Sequence, residues 1–194
     1  QIEPKVFVTC DGYWYNGKEI SVSDKLKPIV DQLPSAKHVW IATYLGRADE
    51  VAAGLPRAAP LDAVAGRYEA RPVSYERVPF DQPLYIMFSS GTTGVPKCIV
   101  HASGGVLLMH LKEHRLHCDE RPGDRVFYFT TCGWMMWNWL MSALGSEATL
   151  LLYDGSPFAP SGEILFDYAD AEKMTLFGTS AKYIDAVAKS GMVP

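Results

Sequence analysis

Cysteine is scarce here, and what there is stands well apart. Cys10, Cys98, Cys118 and Cys132 are the four in 194 residues, and no two form a CxxC pair. Neither a disulfide framework nor a zinc ribbon can be written from that spacing, and the usage fits a reduced, cytoplasmic protein. Charge of one sign is also missing: 18 Lys and Arg against 22 Asp and Glu leave a net charge of −4. The cations are scattered rather than striped, so nucleic acid is not an expected partner. A long hydrophobic run is absent too. The best candidate, from Val126 to Leu152, is cut by Gly133, Asn138, Ser142, Gly145, Ser146 and Glu147, and no membrane-spanning helix is expected. The chain opens on Gln1 rather than Met, and no basic-then-apolar leader follows. It is therefore expected to begin inside a longer polypeptide or after a trimmed tag. No repeat or low-complexity tract is evident.

What is present is ordinary globular composition, with 48% hydrophobic and 21% charged residues, enough for one sizeable α/β core or part of a larger one. Lys5 to Thr9 reads as a strand, and Asp11-Gly12 as a turn. Leu26, Ile29, Val30 and Leu33 follow helical spacing, with Ser23 as the expected N-cap and Pro34 as the stop. Val39 to Thr43 then completes a β-α-β unit over residues 1–44. Residues 45–83, broken by Pro56, Pro60, Pro72, Pro79 and Pro83, read as a connector with a helical turn or two at Leu61 to Tyr68. Residues 84–194 read as a second α/β region: a buried strand at Leu84 to Phe88, then a glycine-rich loop, then a helix from Gly104 to Leu116. Further strands are predicted at Val126 to Thr130, Ala148 to Tyr153 and Thr175 to Gly178, and helices at Met136 to Leu144, Glu163 to Lys173 and Ala181 to Ser190. The class is α/β, with mostly parallel sheets and helices on both faces.

The sharpest chemical signal is YIMFSSGTTGVPKC, Tyr85 to Cys98. Gly91 and Gly94 let the backbone take positive φ, so that successive N–H groups can turn inward as an anion nest. Ser89, Ser90, Thr92 and Thr93 add hydroxyl donors, and Lys97 adds a fixed charge. A Walker A loop does not fit: it needs four residues before its Gly-Lys pair and then Ser or Thr, whereas here Lys97 follows Pro96 and precedes Cys98. A turn of small residues with no ligand is the plainer alternative, and the length and order of this loop favour phosphate over it.

SSGTTGVPK resembles the signature phosphate loop of the adenylate-forming superfamily, which includes acyl-CoA synthetases, peptide-synthetase adenylation domains and luciferases. By that resemblance Ser89, Ser90, Gly91, Thr92, Thr93 and Gly94 surround the phosphates of ATP, with Lys97 as the loop's lysine. Cys98 departs from the Gly found there in most members. The likeness runs through KCIVHASGG, TTCGWMMWNWLMSAL (Thr130 to Leu144), LLLYDGSP (Leu150 to Pro157), LFGTSAKYI (Leu176 to Ile184) and DGYWYNGK, which together look like the acetoacetyl-CoA synthetase group. It implies a fold of adenylate-forming type and ATP, Mg²⁺ and CoA as reaction partners. It also implies acetoacetate as the acid activated, with acyl transfer from an adenylate to a thiol. Trp134, Met135 and Met136 are then placed near the acyl group or thiol, and Lys18 and Thr179 near CoA. No catalytic residue is assigned, because Pro194 falls before the motifs that carry adenine, ribose and the catalytic lysine in such enzymes; the remainder of the polypeptide would supply them. Another short-chain acyl-CoA synthetase, or a nucleotide-binding piece without catalysis, remains the alternative.

Two other constellations are set aside. His110, Glu113 and His114 spell HxxEH with His117 and Cys118 nearby, yet no further ligand is placed for a metal, and they read as polar helix residues. Asp167 with Asp170, and Asp119 with Glu120, read as solvated carboxylates. His101 closes no triad, since there is no GxSxG elbow.

Overall fold

A computed structural model describes residues 2–89 and 94–192 and separates into two units, residues 1–76 and 77–194. In the first, strands β1 (Val6–Cys10), β4 (His38–Ala42) and β5 (Ala58–Pro60) form a parallel sheet in the order β1-β4-β5. Phe7 lies beside Val39 and Thr9 beside Ile41, and paired residues in a parallel sheet share a face. Val39 and Ile41 are fully buried there against Leu26 and Val30 of α1 (Ser23–Asp31) and Ala48, Val51 and Ala52 of α2 (Ala48–Ala53). Each side chain of this size contributes about 1.5–3 kcal/mol on full burial, which explains why the β-α-β pattern of the sequence survives.

Several local expectations change. Ser23 is the first helical residue rather than the cap, and its amide donates to the Ser21 hydroxyl at 3.3 Å. Pro28 sits inside α1, which ends at Asp31, short of Pro34. Asp11-Gly12 is not a turn. β2 (Gly12–Tyr15) and β3 (Lys18–Ser21) form an antiparallel hairpin, and its turn is Asn16-Gly17, both at positive φ (51° and 73°). Asn-Gly suits such a two-residue turn because both residues tolerate that conformation. Residues 45–65, read as connector, carry α2, β5 and a short α3 (Leu61–Ala65), and β5 extends the sheet through Val39, Trp40 and Ile41 of β4.

In the second unit β6 (Pro83–Phe88) pairs antiparallel with β7 (Cys98–Ala102). The sequence placed a helix directly after the glycine-rich loop, but β7 intervenes, and β6 is largely exposed rather than buried. α4 (Ser103–Lys112) follows and widens into a π-helical turn, Glu113–His117. A parallel sheet then has the order β10-β8-β9, from β8 (Arg125–Tyr128), β9 (Thr149–Leu151) and β10 (Leu176–Gly178). The chain leaves β8 through α5 (Met135–Ser142) to β9 on one side, and returns through α6 (Ile164–Glu172) to β10 on the other. Right-handed crossovers in opposite directions put their helices on opposite faces, and the packing has that form. Val126 meets Leu140 and Ala143 on one face, while Phe127 and Leu151 meet Leu165 of α6 and Tyr183 and Val187 of α7 (Ala181–Ser190) on the other.

Candidate functional site

The phosphate-loop segment is the loop of the β6–β7 hairpin. Its base is closed by two bonds: the Ser89 amide donates to the Lys97 carbonyl at 3.0 Å, and the Lys97 amide donates to the Ser89 hydroxyl oxygen at 3.2 Å. The Ser89 hydroxyl hydrogen is left to donate elsewhere. Gly94 has φ 86°, with open space where a Cβ would stand, so conformation and not crowding calls for glycine there. Ser90, Gly91, Thr92 and Thr93 lie outside the described residues. Lys97 is exposed, with its charge available to a ligand.

Beside this hairpin runs a groove of about 590 Å³. One wall is β6 from Tyr85 to Phe88 with the following Ser89; the other is Cys132 to Met135 with Asn138. Because β8 lies between β9 and β10, the winding reverses at its carboxyl end, the position where open α/β sheets place their ligands. Cys132 to Asn138 follow directly from that end. The Trp134 amide donates to the Thr131 carbonyl at 3.0 Å, turning the chain so that α5 starts at the groove. The sequence-predicted Ser89, Trp134 and Met135 therefore share one groove. Met136 is half-buried and is not part of its wall. Thr179 follows β10 at the same sheet edge, and its hydroxyl oxygen is buried without a hydrogen-bond partner among the described residues. Lys18 is exposed at the start of β3 in the first unit. A slightly larger hollow, about 610 Å³, lies between α1 and α2; on its rim Lys27 pairs with Asp31 at 3.1 Å, and none of the sequence-predicted site residues lines it.

Asn138 joins the walls, its Nδ2 reaching Met87 Sδ at 4.0 Å. In the sequence it figures only as a polar break in the apolar run and as part of the Thr130 to Leu144 resemblance, with no role given. Tyr85, on the groove wall, has its phenol pKa raised by burial.

Behind the groove, the two histidines of HxxEH are core, while Glu113 between them is partly exposed and pairs with Lys112. His110 and His114 are 3% and 0% exposed. His114 Nδ1 lies 2.8 Å from Glu120 Oε1, and its Nε2 lies 3.0 Å from the Trp139 carbonyl oxygen and 2.9 Å from Ser142 Oγ. Ser142 donates its own hydrogen to that carbonyl at 2.6 Å. Nε2 thus ties the π-helical turn to α5, and Nδ1 ties it to Glu120 in the segment that follows. Burial first, then the neighbouring His114 and His101, lower the His110 pKa, with Glu113 opposing.

In the first unit, Asp11 is 1% exposed and its carboxylate accepts from the amides of Tyr44 (2.9 Å), Leu45 (2.9 Å) and Arg47 (2.7 Å). Burial pushes its pKa up, but those amides together outweigh burial and hold it below the ordinary value. This carboxylate anchors the loop that leads into α2, and no pattern in the local sequence marks the pairing.

A hairpin-borne, glycine-containing loop thus stands beside a largely apolar groove at the sheet's carboxyl edge. The whole chain, residues 1–194, matches the family described as AMP-binding enzyme, and it belongs to that family. Over its full length it is 58% identical to acetoacetyl-coenzyme A synthetase of Rhizobium meliloti (strain 1021). It is 42% identical to acetoacetyl-CoA synthetase of Mus musculus. It matches the structure of acetoacetyl-CoA synthetase from Streptomyces lividans with a TM-score of 0.87 and 44% identity, covering 98% of this chain and 28% of that one. The chain spans about 30% of the length of the two curated relatives.

Proposed function

We propose that this chain is part of an acid–thiol ligase that activates acetoacetate with ATP and delivers the acyl group to CoA. In the first step the acid's carboxylate oxygen attacks the α-phosphorus, the bond to the β-phosphate oxygen breaks, and pyrophosphate leaves. In the second, the CoA thiolate attacks the acyl carbonyl and AMP departs. The single observation that carries the reading is that Ser89 and the Trp134–Met135 segment line one groove, so a nucleotide phosphate and a short acyl chain can lie side by side. Positioning of this kind, together with electrostatic stabilisation, is what a protein contributes to such a reaction.

In this reading the loop from Ser89 to Gly94, with Lys97, takes the phosphates, and N–H donors and lysine charge offset the charge that builds up at the reacting phosphorus. Mg²⁺ accompanies ATP. Trp134 and Met135 supply shapeable apolar area for the acyl chain. CoA contacts at Lys18 and Thr179 belong to the same proposal; Thr179 is supported by its unpartnered buried hydroxyl. The test is kcat/KM of the full-length protein for acetoacetate, acetate, propionate and butyrate, with AMP and thioester both measured. Acetoacetate should rank first; a preference for acetate would overturn the assignment.

A further inference from the structure

Asn138 supplies the one side-chain amide among the described residues that line the groove, whose walls are otherwise mostly apolar and aromatic. An amide brings two donor hydrogens and an acceptor oxygen. Here the sole side-chain hydrogen bond among described residues is the 4.0 Å approach of Nδ2 to Met87 Sδ, a long reach to a weak acceptor. The group is half-buried and retains most of its hydrogen-bonding capacity where an unmet polar group is costly. Its position is also fixed. Met135 and Asn138 are three residues apart on α5 and share a helix face. The next carbonyl along, that of Trp139, is held by His114 Nε2 and the Ser142 hydroxyl. A polar group on a pinned helix at an apolar wall is how small-molecule sites acquire orientation and selectivity.

We propose that Asn138 donates an amide hydrogen to the ketone oxygen of acetoacetate, and that this bond sets the preference for a 3-oxo acid over the saturated acid of the same length. The inference rests on the acid-activating reading given above. Acetoacetate and butyrate share a four-carbon chain and differ at carbon 3, which is a C=O in one and a CH₂ in the other. Butyrate displaces water from the groove and returns no acceptor to the amide, and a site built around a hydrogen bond discriminates strongly against a ligand lacking it. 3-Hydroxybutyrate keeps an oxygen at carbon 3 in tetrahedral geometry and falls between the two. A purely structural Asn138, tying α5 to β6 through Met87, would affect all acids alike.

The experiment uses the full-length protein with Asn138→Leu and Asn138→Ala, measuring kcat/KM for acetoacetate and butyrate alongside the KM for ATP. The acetoacetate-to-butyrate ratio should fall about ten- to a hundred-fold while the KM for ATP holds. The unaltered protein gives a second reading that needs no variant: a ratio near one there overturns the proposal. An unchanged ratio in a variant that still turns over both acids also overturns it, and leaves acetoacetate activation standing. A full-length protein that forms no acetoacetyl thioester overturns both.

Discussion

Removing the Glu120 carboxylate tests how α5 is held behind the groove. The side chains of His114 and Glu120 are 0% and 1% exposed. Nε2 of His114 faces the Trp139 carbonyl at 3.0 Å, and a carbonyl only accepts, so Nε2 carries a hydrogen. The second ring nitrogen faces Glu120 Oε1 at 2.8 Å, a contact that needs one proton between the two atoms. Glu120→Ala strips Nδ1 of its partner where water does not reach, and breaking a buried pair from one side costs about 3–5 kcal/mol. Glu120→Gln should cost only about 1 kcal/mol, because its NH₂ can donate to Nδ1 while Nε2–H stays on Trp139. Hydrogen exchange through residues 113–117 and 135–146 of the full-length protein is the assay, since a chain of several units does not unfold in one step. At about 1.4 kcal/mol per ten-fold, Glu120→Ala should speed exchange there by roughly two to three and a half powers of ten. Equal acceleration by both variants would refute the shared-proton account, because the negative charge itself would then be what holds the turn.

Three further outcomes are expected. Asp11 has its pKa held below 3.8 by backbone amides, so the unfolded chain takes up that proton first. The stability Asp11 contributes is complete above the ordinary value and is lost as pH falls through the lowered one. Pepsin cleavage within residues 1–76 should rise across that interval, and Asp11→Asn should already be susceptible above it. For His110 the sign comes from a neutral form favoured by burial, with a pKa below 6.5. The unfolded state binds the proton first as pH drops below 6.5, and local stability around α4 declines until the folded value is passed. His110→Leu should flatten that slope in exchange measurements, and an equally steep slope in the variant would count against the argument. Lys97→Ala should raise the KM for ATP roughly ten-fold, the loss of one charge-assisted contact, and leave thermal unfolding unchanged because the side chain is exposed; unaltered ATP kinetics would remove Lys97 from the phosphate site.

Periodicity made the parallel sheets legible, because Val39 and Ile41 alternate onto one buried face, while the adjacent Val126 and Phe127 are buried on opposite faces, as the unbroken apolar run of a strand covered on both sides requires. The antiparallel pairs were less legible. β7 is five residues long, three of them exposed, and a short apolar run between a loop and a helix reads equally well as part of either. The β2–β3 hairpin carried a strong Asn-Gly signal at Asn16-Gly17 that the neighbouring Asp11-Gly12 obscured. In the candidate site the loop and Trp134–Met135 were legible as motifs, and the structure brings Ser89, Trp134 and Met135 to one groove. Asn138 and the His114–Glu120 pair were not. Their meaning depends on what stands opposite, and the partner of His114 on α5 is 25 residues away at Trp139.

The order β10-β8-β9 has a consequence during synthesis. The central strand is made first, and its second neighbour lies 50 residues downstream, as the Arg125 and Thr175 pairing marks. At about 5–20 residues per second, the run Val126-Phe127-Tyr128-Phe129 leaves the ribosome roughly 2–10 s before that edge can be covered. It is uncharged, aromatic and β-branched, the composition that pairs with other chains when left open. Asp124 and Arg125 stand at its entrance as gatekeepers. In the finished unit the Arg125 guanidinium donates to the carboxylate and the backbone carbonyl of Glu172, so the side chain that keeps the nascent strand apart from its neighbours later closes α6 onto it.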